Sequence, residues 1–227
     1  MRYEVCVESP AGVRAAIDAG ADRVELCADL AVGGTTPSIG LIYWAVAQAA
    51  AAPGPARLAV HVLVRPRGGD FVYSAAELDV MARDIVAAQA AGADGIVLGA
   101  LTASGAVDRA ACEPLIALAR PASVTFHRAF DQAADVQAAF PEVVSLGVDR
   151  LLTSGGAATA LDGADVIAGL VRRADGHLTV LPGGGVTETT APEIVRRTRA
   201  SELHFSARSS PLPLPAAIAS IMAAASA

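Results

Sequence analysis

Eight short stretches with the composition of buried β-strands recur along the 227-residue chain at fairly even intervals. The intervals run from 21 residues, between Glu4 and Glu25, to 36 residues, between Glu25 and His61, and each leaves room for a helix and two loops. Strands that alternate with helices pair in parallel through right-handed crossovers. Eight units of about 28 residues predict a single (β/α)8 TIM barrel. The predicted strands are Tyr3–Val7, Asp22–Cys27, Leu58–Val64, Gly95–Ala100, Ser123–Arg128, Arg150–Ser154, His177–Leu181 and Glu202–Ser206.

An internal repeat supports this arrangement. Ala-Gly-Ala-Asp occurs at 19–22 and 91–94, and Leu-Gly-Val-Asp occurs at 146–149. In each copy the glycine closes a predicted helix in the left-handed conformation that favours this residue, and a strand begins after the aspartate. We interpret the repeat as structural.

A doubly wound parallel sheet is the alternative fold. It is disfavoured because no Gly-x-Gly-x-x-Gly motif follows the first strand. In addition, polar residues lie at the ends of nearly all the strands, whereas in a doubly wound sheet they would cluster at one topological switch point. We therefore expect one domain over residues 1–227, with a barrel core at about 2–208 and a C-terminal helix or tail over 209–227.

The charged residues exclude several classes of chemistry. All 17 basic residues are arginine, so the chain has no lysine for a pyridoxal phosphate Schiff base or a Walker A loop. We therefore expect neither pyridoxal phosphate nor a nucleotide cofactor. A net charge of −6 argues against a nucleic-acid partner, because nucleic-acid-binding domains are usually basic.

Two uncharged stretches raise the question of a membrane. Leu30–Ala56 and Ser209–Ala227 are rich in alanine, and proline and glycine interrupt the first, so we predict no membrane span. Glutamates among the first eight residues exclude a signal peptide, and three cysteines make no disulfide framework. A cytoplasmic protein is expected. Tyr43 and Trp44 in the first stretch suggest a subunit contact and hence a homo-oligomer; the alternative is that Trp44 is buried against its own barrel.

The predicted strands place polar residues on the face that points to the barrel axis. Alternate residues of a strand face opposite sides, and in five strands one set is apolar. Burying the other set is costly unless its members are paired or solvated by a ligand. Any one of them could be a satisfied core residue, but together they predict a pocket at the C-terminal mouth. The axial pairs are Glu4 and Cys6, Glu25 and Cys27, His61 and Arg65, Thr125 and His127, and His204 and Ser206.

The loops after the strands bring arginines and glycines to the same mouth. In this fold the loops after strands 7 and 8 commonly bind phosphate, and glycine lets backbone N–H groups approach an anion. The alternative is that the glycines make tight turns and the arginines pair with nearby carboxylates. The predicted anion-binding residues are Arg65, Arg67, Asp70, Arg128, Asp131, Thr153, Ser154, Gly155, Gly183, Gly184, Gly185, Ser206 and Arg208.

A Glu-x-Cys tripeptide occurs twice, ending at Cys6 and Cys27. Neighbouring strands lie about 4.8 Å apart, so the two thiols can approach one another and form a soft site suited to Cu(I). The alternatives are two small buried apolar residues, or a disulfide, which a reducing cytoplasm disfavours. We expect Glu4 and Glu25 to raise the pKa of both thiols unless Arg65 compensates. Packing is expected for the third cysteine, at position 112.

Several of these motifs, in this order along the chain, resemble the CutC copper-homeostasis family. The resemblance runs from about Arg2 to Arg208, and it implies a (β/α)8 barrel, a cytoplasmic location and a role in copper homeostasis. It also implies that Cys6 and Cys27 are the Cu(I) ligands. The motifs are Glu4–Cys6, Arg23–Cys27, Gly33–Ser38, Arg65–Phe71, Thr125–Asp131, Thr153–Gly155, Pro182–Gly185 and Ser206–Arg208.

Two functions therefore compete. The first is copper binding by the two cysteines, which the resemblance favours. The second is a TIM-barrel enzyme or binding protein for a small phosphorylated or carboxylated molecule, which the arginines and glycines at the mouth favour. In that case Glu25, His127 and His204 are the candidates for acid–base catalysis or for binding a divalent metal.

Overall fold

The computed structural model describes residues 1–52, 57–207 and 214–226, in which strands alternate with helices. The strands are β1 (Arg2–Val7), β2 (Arg23–Leu26), β3 (Ala59–Leu63), β4 (Gly95–Leu98), β5 (Ser123–Phe126), β6 (Arg150–Thr153), β7 (Thr179–Pro182) and β8 (Glu202–Phe205). The α-helices are α1 (Pro10–Ala19), α2 (Ile39–Ala51), α3 (Ala75–Ala90), α4 (Arg109–Ala119), α5 (Val136–Ser145), α6 (Ala164–Ala174), α7 (Ala191–Thr198) and α8 (Leu214–Ser226). Short 3-10 turns follow β2 at Leu30–Val32 and β5 at Arg128–Gln132.

The strands form one parallel sheet that curls into a nearly closed barrel. Their order is β7-β6-β5-β4-β3-β2-β1-β8, and β7 lies against β8 where the two ends of the sheet meet. The chain thus winds once around the axis without the reversal of strand order that defines a doubly wound sheet. The predicted barrel is confirmed.

Local sequence signals start and end the helices. Ser9 accepts a hydrogen bond from Gly12 N–H at the start of α1, and Gly20 ends this helix with a φ of 74°. Gly147 follows α5 with a φ of 70°, in the left-handed region that the repeated motif predicts. Ser74 and Glu77 form a reciprocal capping box that begins α3.

The two faces of each strand have different environments. Val5, Val24 and Leu203 are fully buried in the apolar core between the sheet and the helices. A second, small apolar cluster lies inside the barrel and contains Cys6, Cys27, Leu63 and Val97. The predicted division between axial and helix-facing residues is therefore confirmed for the strands that carry the cysteines.

The C-terminal segment forms a helix over its described part. Helix α8 packs on α1, and Met222 O accepts a 2.9 Å hydrogen bond from the hydroxyl of Tyr3. In the part of the chain that the structure describes, every helix is too short or too polar to cross a bilayer.

Candidate functional site

The lower part of the barrel interior is a buried network of charged side chains. Glu4 on β1 is fully buried, and its carboxylate accepts hydrogen bonds from Arg23 Nε and, at 2.7 Å, from His204 Nδ1. Arg23 Nη2 donates to Glu202 at 2.6 Å, and Arg150 Nε donates to the same carboxylate at 3.0 Å. The network links the first strand to the last and fixes the orientation of the His204 ring.

These contacts set the charges in the interior. Burial opposes ionisation of Glu4, but Arg23 and His204 outweigh it and hold the pKa of Glu4 well below its usual range. Burial likewise opposes the charged form of His204. Its contacts with Cys6 and Glu4 outweigh burial and raise the pKa of His204 well above its usual value. An imidazolium therefore lies beneath the two thiols.

Cys6 on β1 and Cys27, the residue after β2, meet above this network, as their spacing in the sequence predicts. Cys6 Sγ lies 3.7 Å from Cys27 Sγ, and Cys27 Sγ lies 3.5 Å from Glu25 Oε2. The three donor atoms lie within 4.8 Å of one another and all three residues are buried. His127 and His204 do not belong to this three-residue group, which is the one such cluster of His, Cys, Asp or Glu donors among the described residues.

The two thiols differ in acidity. The hydrogen bond between the sulfurs, and then the contact with His204, lower the pKa of Cys6 to about 5 against the opposing effect of burial. Burial and the same hydrogen bond raise the pKa of Cys27 well above its usual value. The expectation that the glutamates raise both pKa values is therefore wrong for Cys6. Burial also raises the pKa of Glu25, which weakens its repulsion of the thiolate.

The strand register disfavours a disulfide between the two cysteines, which are free thiols. Cys6 stands opposite Glu25, so Cys27 is its diagonal neighbour two residues further along. Parallel strands lie about 4.8 Å apart and rise about 3.3 Å per residue, so the Cα atoms of such neighbours lie roughly 8 Å apart, whereas disulfides typically need about 4.4–6.8 Å. The pair is therefore better placed to share a ligand than to form a bond.

A cavity of about 360 Å³ at the C-terminal end of the barrel leads down to the thiol of Cys6. Its volume lies at the lower end of the range of small-molecule pockets, roughly 300–1,000 Å³. Leu30, Leu63, Phe71 and Leu152 make part of its wall apolar. The predicted site residues that line it are Cys6, Glu25, Arg65, His127, Arg128, Gly184, Gly185, His204 and Ser206.

Other predicted residues hold the cavity wall in place. Asp131 accepts hydrogen bonds from Thr153 Oγ1 at 2.5 Å and from Ser154 N–H at 2.9 Å, and it pairs with Arg128 Nε at 2.8 Å. Gly155 packs against the carbonyl of Gly163, behind the β6 end. Asp131 therefore ties the loop after β5 to the loop after β6.

The arginines of the loop after β3 have separate surroundings. Arg65 donates to the carbonyl oxygens of Val32, Gly34 and Gly69, and its guanidinium lies over Phe71. It therefore joins two loops, and no carboxylate of the described residues pairs with it.

Arg67 instead pairs with Asp70 at 2.9 Å and with Glu77 at 2.5 Å, and neither Arg67 nor Asp70 lines the cavity. Pairing with nearby carboxylates, the alternative interpretation of the arginines, thus describes Arg67, and it also describes the Nε side of Arg128, which pairs with Asp131. Gly183 packs beneath the cavity against His204, and Arg208 lies outside the described residues.

The fold and this site define a class: a TIM barrel with a cavity at its C-terminal mouth and a dithiol–carboxylate group at the cavity floor. The chain belongs to the CutC family, whose model matches residues 1–209. The family resemblance of the motifs is confirmed.

Curated relatives and a solved structure agree with this assignment. The chain is 47% identical over 206 residues to "Copper homeostasis protein cutC homolog" of Homo sapiens, which covers 91% of this chain and 73% of that protein. It is 47% identical over 205 residues to a CutC family protein of Chromobacterium violaceum, covering 90% and 80% of the two chains. The crystal structure of the putative copper homeostasis protein CutC from Streptococcus agalactiae matches with a TM-score of 0.84 at 34% identity, covering 90% of this chain and 98% of that one.

Proposed function

We propose that the protein binds Cu(I) through Cys6 and Cys27 and serves in copper homeostasis. The observation that carries this proposal is the approach of the two sulfurs to 3.7 Å at the end of an open cavity. Thiolates are soft ligands, and soft ligands select Cu(I). The copper-homeostasis names of the relatives support the same function.

The two thiols differ in their exposure to the cavity and in their acidity, and this sets the order in which they would bind a cation. Cys6 lies at the cavity floor with 8% of its surface exposed, whereas Cys27 is fully buried behind it. A metal ion therefore meets Cys6 first, and Cys6 is the more acidic of the two thiols, because its pKa is lowered whereas that of Cys27 is raised. Cys27 must then lose its proton, which is released from the site as the metal ion binds.

Removing either thiol should abolish most copper binding. We expect Cys6→Ser and Cys27→Ser to weaken Cu(I) affinity by more than about tenfold, equivalent to about 1.4 kcal/mol. The measurement is an anaerobic competition titration with a Cu(I) chelator.

The Cu(I) affinity of the wild type should rise by about tenfold per pH unit near neutrality, because binding displaces the Cys27 proton. The same titration at a series of pH values measures this.

Cys112 provides the matched control. It is fully buried in α4, with its sulfur 3.9 Å from the carbonyl of Ala100, and it does not line the cavity. Cys112→Ser should therefore bind copper like the wild type. Equal copper uptake by all four proteins would refute the two-cysteine site.

We further propose a cytoplasmic location, because a reducing compartment keeps both thiols available. Recovery of the protein in a secreted or membrane fraction would contradict this.

We also propose that the protein forms a homo-oligomer through α2. Tyr43 and Ile39 lie one helical turn apart on this helix and are 53% and 45% exposed, while Trp44 is partly buried beneath Arg14. Sedimentation velocity should detect a dimer or larger species, and a purely monomeric protein at micromolar concentration would refute this interface.

A further inference from the structure

We propose that the mouth of the cavity binds a small organic oxyanion, a phosphate ester or a carboxylate, between Arg128 and the glycine loop after β7. The proposal goes beyond copper binding, since Cys6 lies at the cavity floor with Cys27 buried behind it, and copper binding there leaves the groups at the mouth without a role. Three sets of observations support it: the placement of Arg128, the unpartnered donors in the wall, and the shape of the cavity.

Two nitrogens of the Arg128 guanidinium are fixed by hydrogen bonds, and the third donates to no described residue. Its Nε donates to Asp131 at 2.8 Å and its Nη2 donates to Ser154 Oγ at 2.8 Å. Nη1 donates to none of the described residues, and the side chain is 40% exposed. A Cβ atom at Gly184 would lie 3.0 Å from Nη1, so the guanidinium lies against the backbone of the glycine loop. Its free N–H groups therefore remain available to a ligand in the cavity.

Three residues of the cavity wall contain buried polar atoms without a hydrogen-bond partner among the described residues: Arg65 Nε, His127 Nε2 and Ser206 Oγ. His127 Nδ1 accepts a 3.2 Å hydrogen bond from Ala129 N–H, so the neutral ring carries its proton on Nε2. Burial and then Arg65 lower the pKa of His127 to about 3, which keeps the ring neutral.

All three unpartnered atoms can donate a hydrogen bond, and the arginine and histidine atoms can do nothing else. An unpartnered buried donor is costly, and a native site usually supplies its acceptor. The wall therefore matches a ligand rich in acceptor oxygens, as an oxyanion is.

The cavity shape fits an organic molecule and not a bare ion. Leu30, Phe71 and Val186 form an apolar wall beside Arg128, which suits a short carbon skeleton. Small-molecule sites combine such an apolar lining with a few polar groups that fix orientation. The anionic group would lie at the mouth and the carbon skeleton would extend toward the floor.

Isothermal titration calorimetry tests this site with inorganic phosphate, glycerol 3-phosphate and succinate as probes. We expect one of the two organic anions to bind the wild type. Arg128→Gln should weaken that binding by at least about tenfold, which is the effect of losing a charged hydrogen bond. The control is Arg67→Gln, because Arg67 belongs to the same class of strand-end arginine but lies outside the cavity. It should bind like the wild type.

Ser206→Ala gives a second test that does not depend on the stability of the Arg128 variant. Its hydroxyl bonds to no described residue, so the thermal midpoint should stay unchanged while organic-anion affinity falls several-fold. Preference for glycerol 3-phosphate assigns a phosphate ester, and preference for succinate assigns a carboxylate. Absence of organic-anion binding at millimolar concentration, binding of inorganic phosphate alone, or unchanged affinity in Ser206→Ala would overturn the proposal. Copper titration of Arg128→Gln separates the two sites, because its copper affinity should match that of the wild type.

Discussion

Replacing Glu4 with Gln should lower the free energy of unfolding by about 3–5 kcal/mol, the usual cost of removing one partner from a buried ion pair. Glu4 pairs with Arg23 and with the His204 imidazolium, and Glu202 pairs with Arg23 and Arg150 inside the barrel. Without Glu4, the two arginines share the carboxylate of Glu202, and His204 keeps only its 3.8 Å contact with Glu25 among the buried carboxylates. The measurement is urea unfolding of both proteins at neutral pH.

The matched control changes a glutamate that makes an ion pair in solvent. Glu193 pairs with Arg196 at 2.5 Å on the exposed surface of α7, so Glu193→Gln should leave the unfolding curve nearly unchanged. If Glu4→Gln and Glu193→Gln unfold at the same urea concentration, the interior network does not stabilise the barrel.

Gly163→Ala should destabilise the protein by about 1–3 kcal/mol through overpacking. A Cβ atom at this position would lie 1.9 Å from the carbonyl oxygen of Ser154 and 3.2 Å from the Cα of Gly155. Both neighbours are backbone atoms, so no side-chain rotation can make room. The loop after β6 must shift, and with it Ser154, whose hydroxyl holds Arg128. Urea unfolding measures the loss of stability, and calorimetry with the organic anions measures the effect on the mouth.

Gly169→Ala is the control, and we expect it to raise the free energy of unfolding where Gly163→Ala lowers it. Gly169 lies within α6, and the nearest atom to a Cβ built there is Arg172 Nη2 at 4.0 Å. Alanine is favoured over glycine in a helix interior by up to about 1 kcal/mol, so this variant should be more stable than the wild type. Two alanine variants of equal stability would contradict the packing argument for Gly163.

The barrel was predictable because its signals are local. The spacing of the strands, the helix-ending glycines and the alternation of polar and apolar residues all act within about one βα unit. Alternation also placed Cys6, Glu25 and Cys27 on the axial face, because adjacent residues of a strand face opposite sides whatever the neighbouring strand is.

The partners of those residues depend on register between distant strands, which no local pattern contains. The sequence interpretation missed Arg23, Arg150 and Glu202, although Arg23 stands two residues before Glu25 and Glu202 two residues before His204. Extending the alternation by one step would have placed both on the axial face. The pairing of Arg23 with both Glu4 and Glu202 required the three-dimensional structure.

The same limit applies to the Cys6 thiol. Its low pKa depends on the contact with Cys27 and on His204, and His204 belongs to the last strand of the barrel. The glutamates near it in sequence suggested the opposite shift.

The two cysteines are synthesised long before the strand that completes their surroundings. Cys6 and Cys27 are separated by 21 positions, whereas Glu4 and the His204 that it binds are separated by 200. A ribosome therefore releases both soft ligands long before the final strand that completes their surroundings has been translated. Until then the nascent chain carries both thiols with no barrel to enclose them, so burial protects neither sulfur from oxidation during elongation.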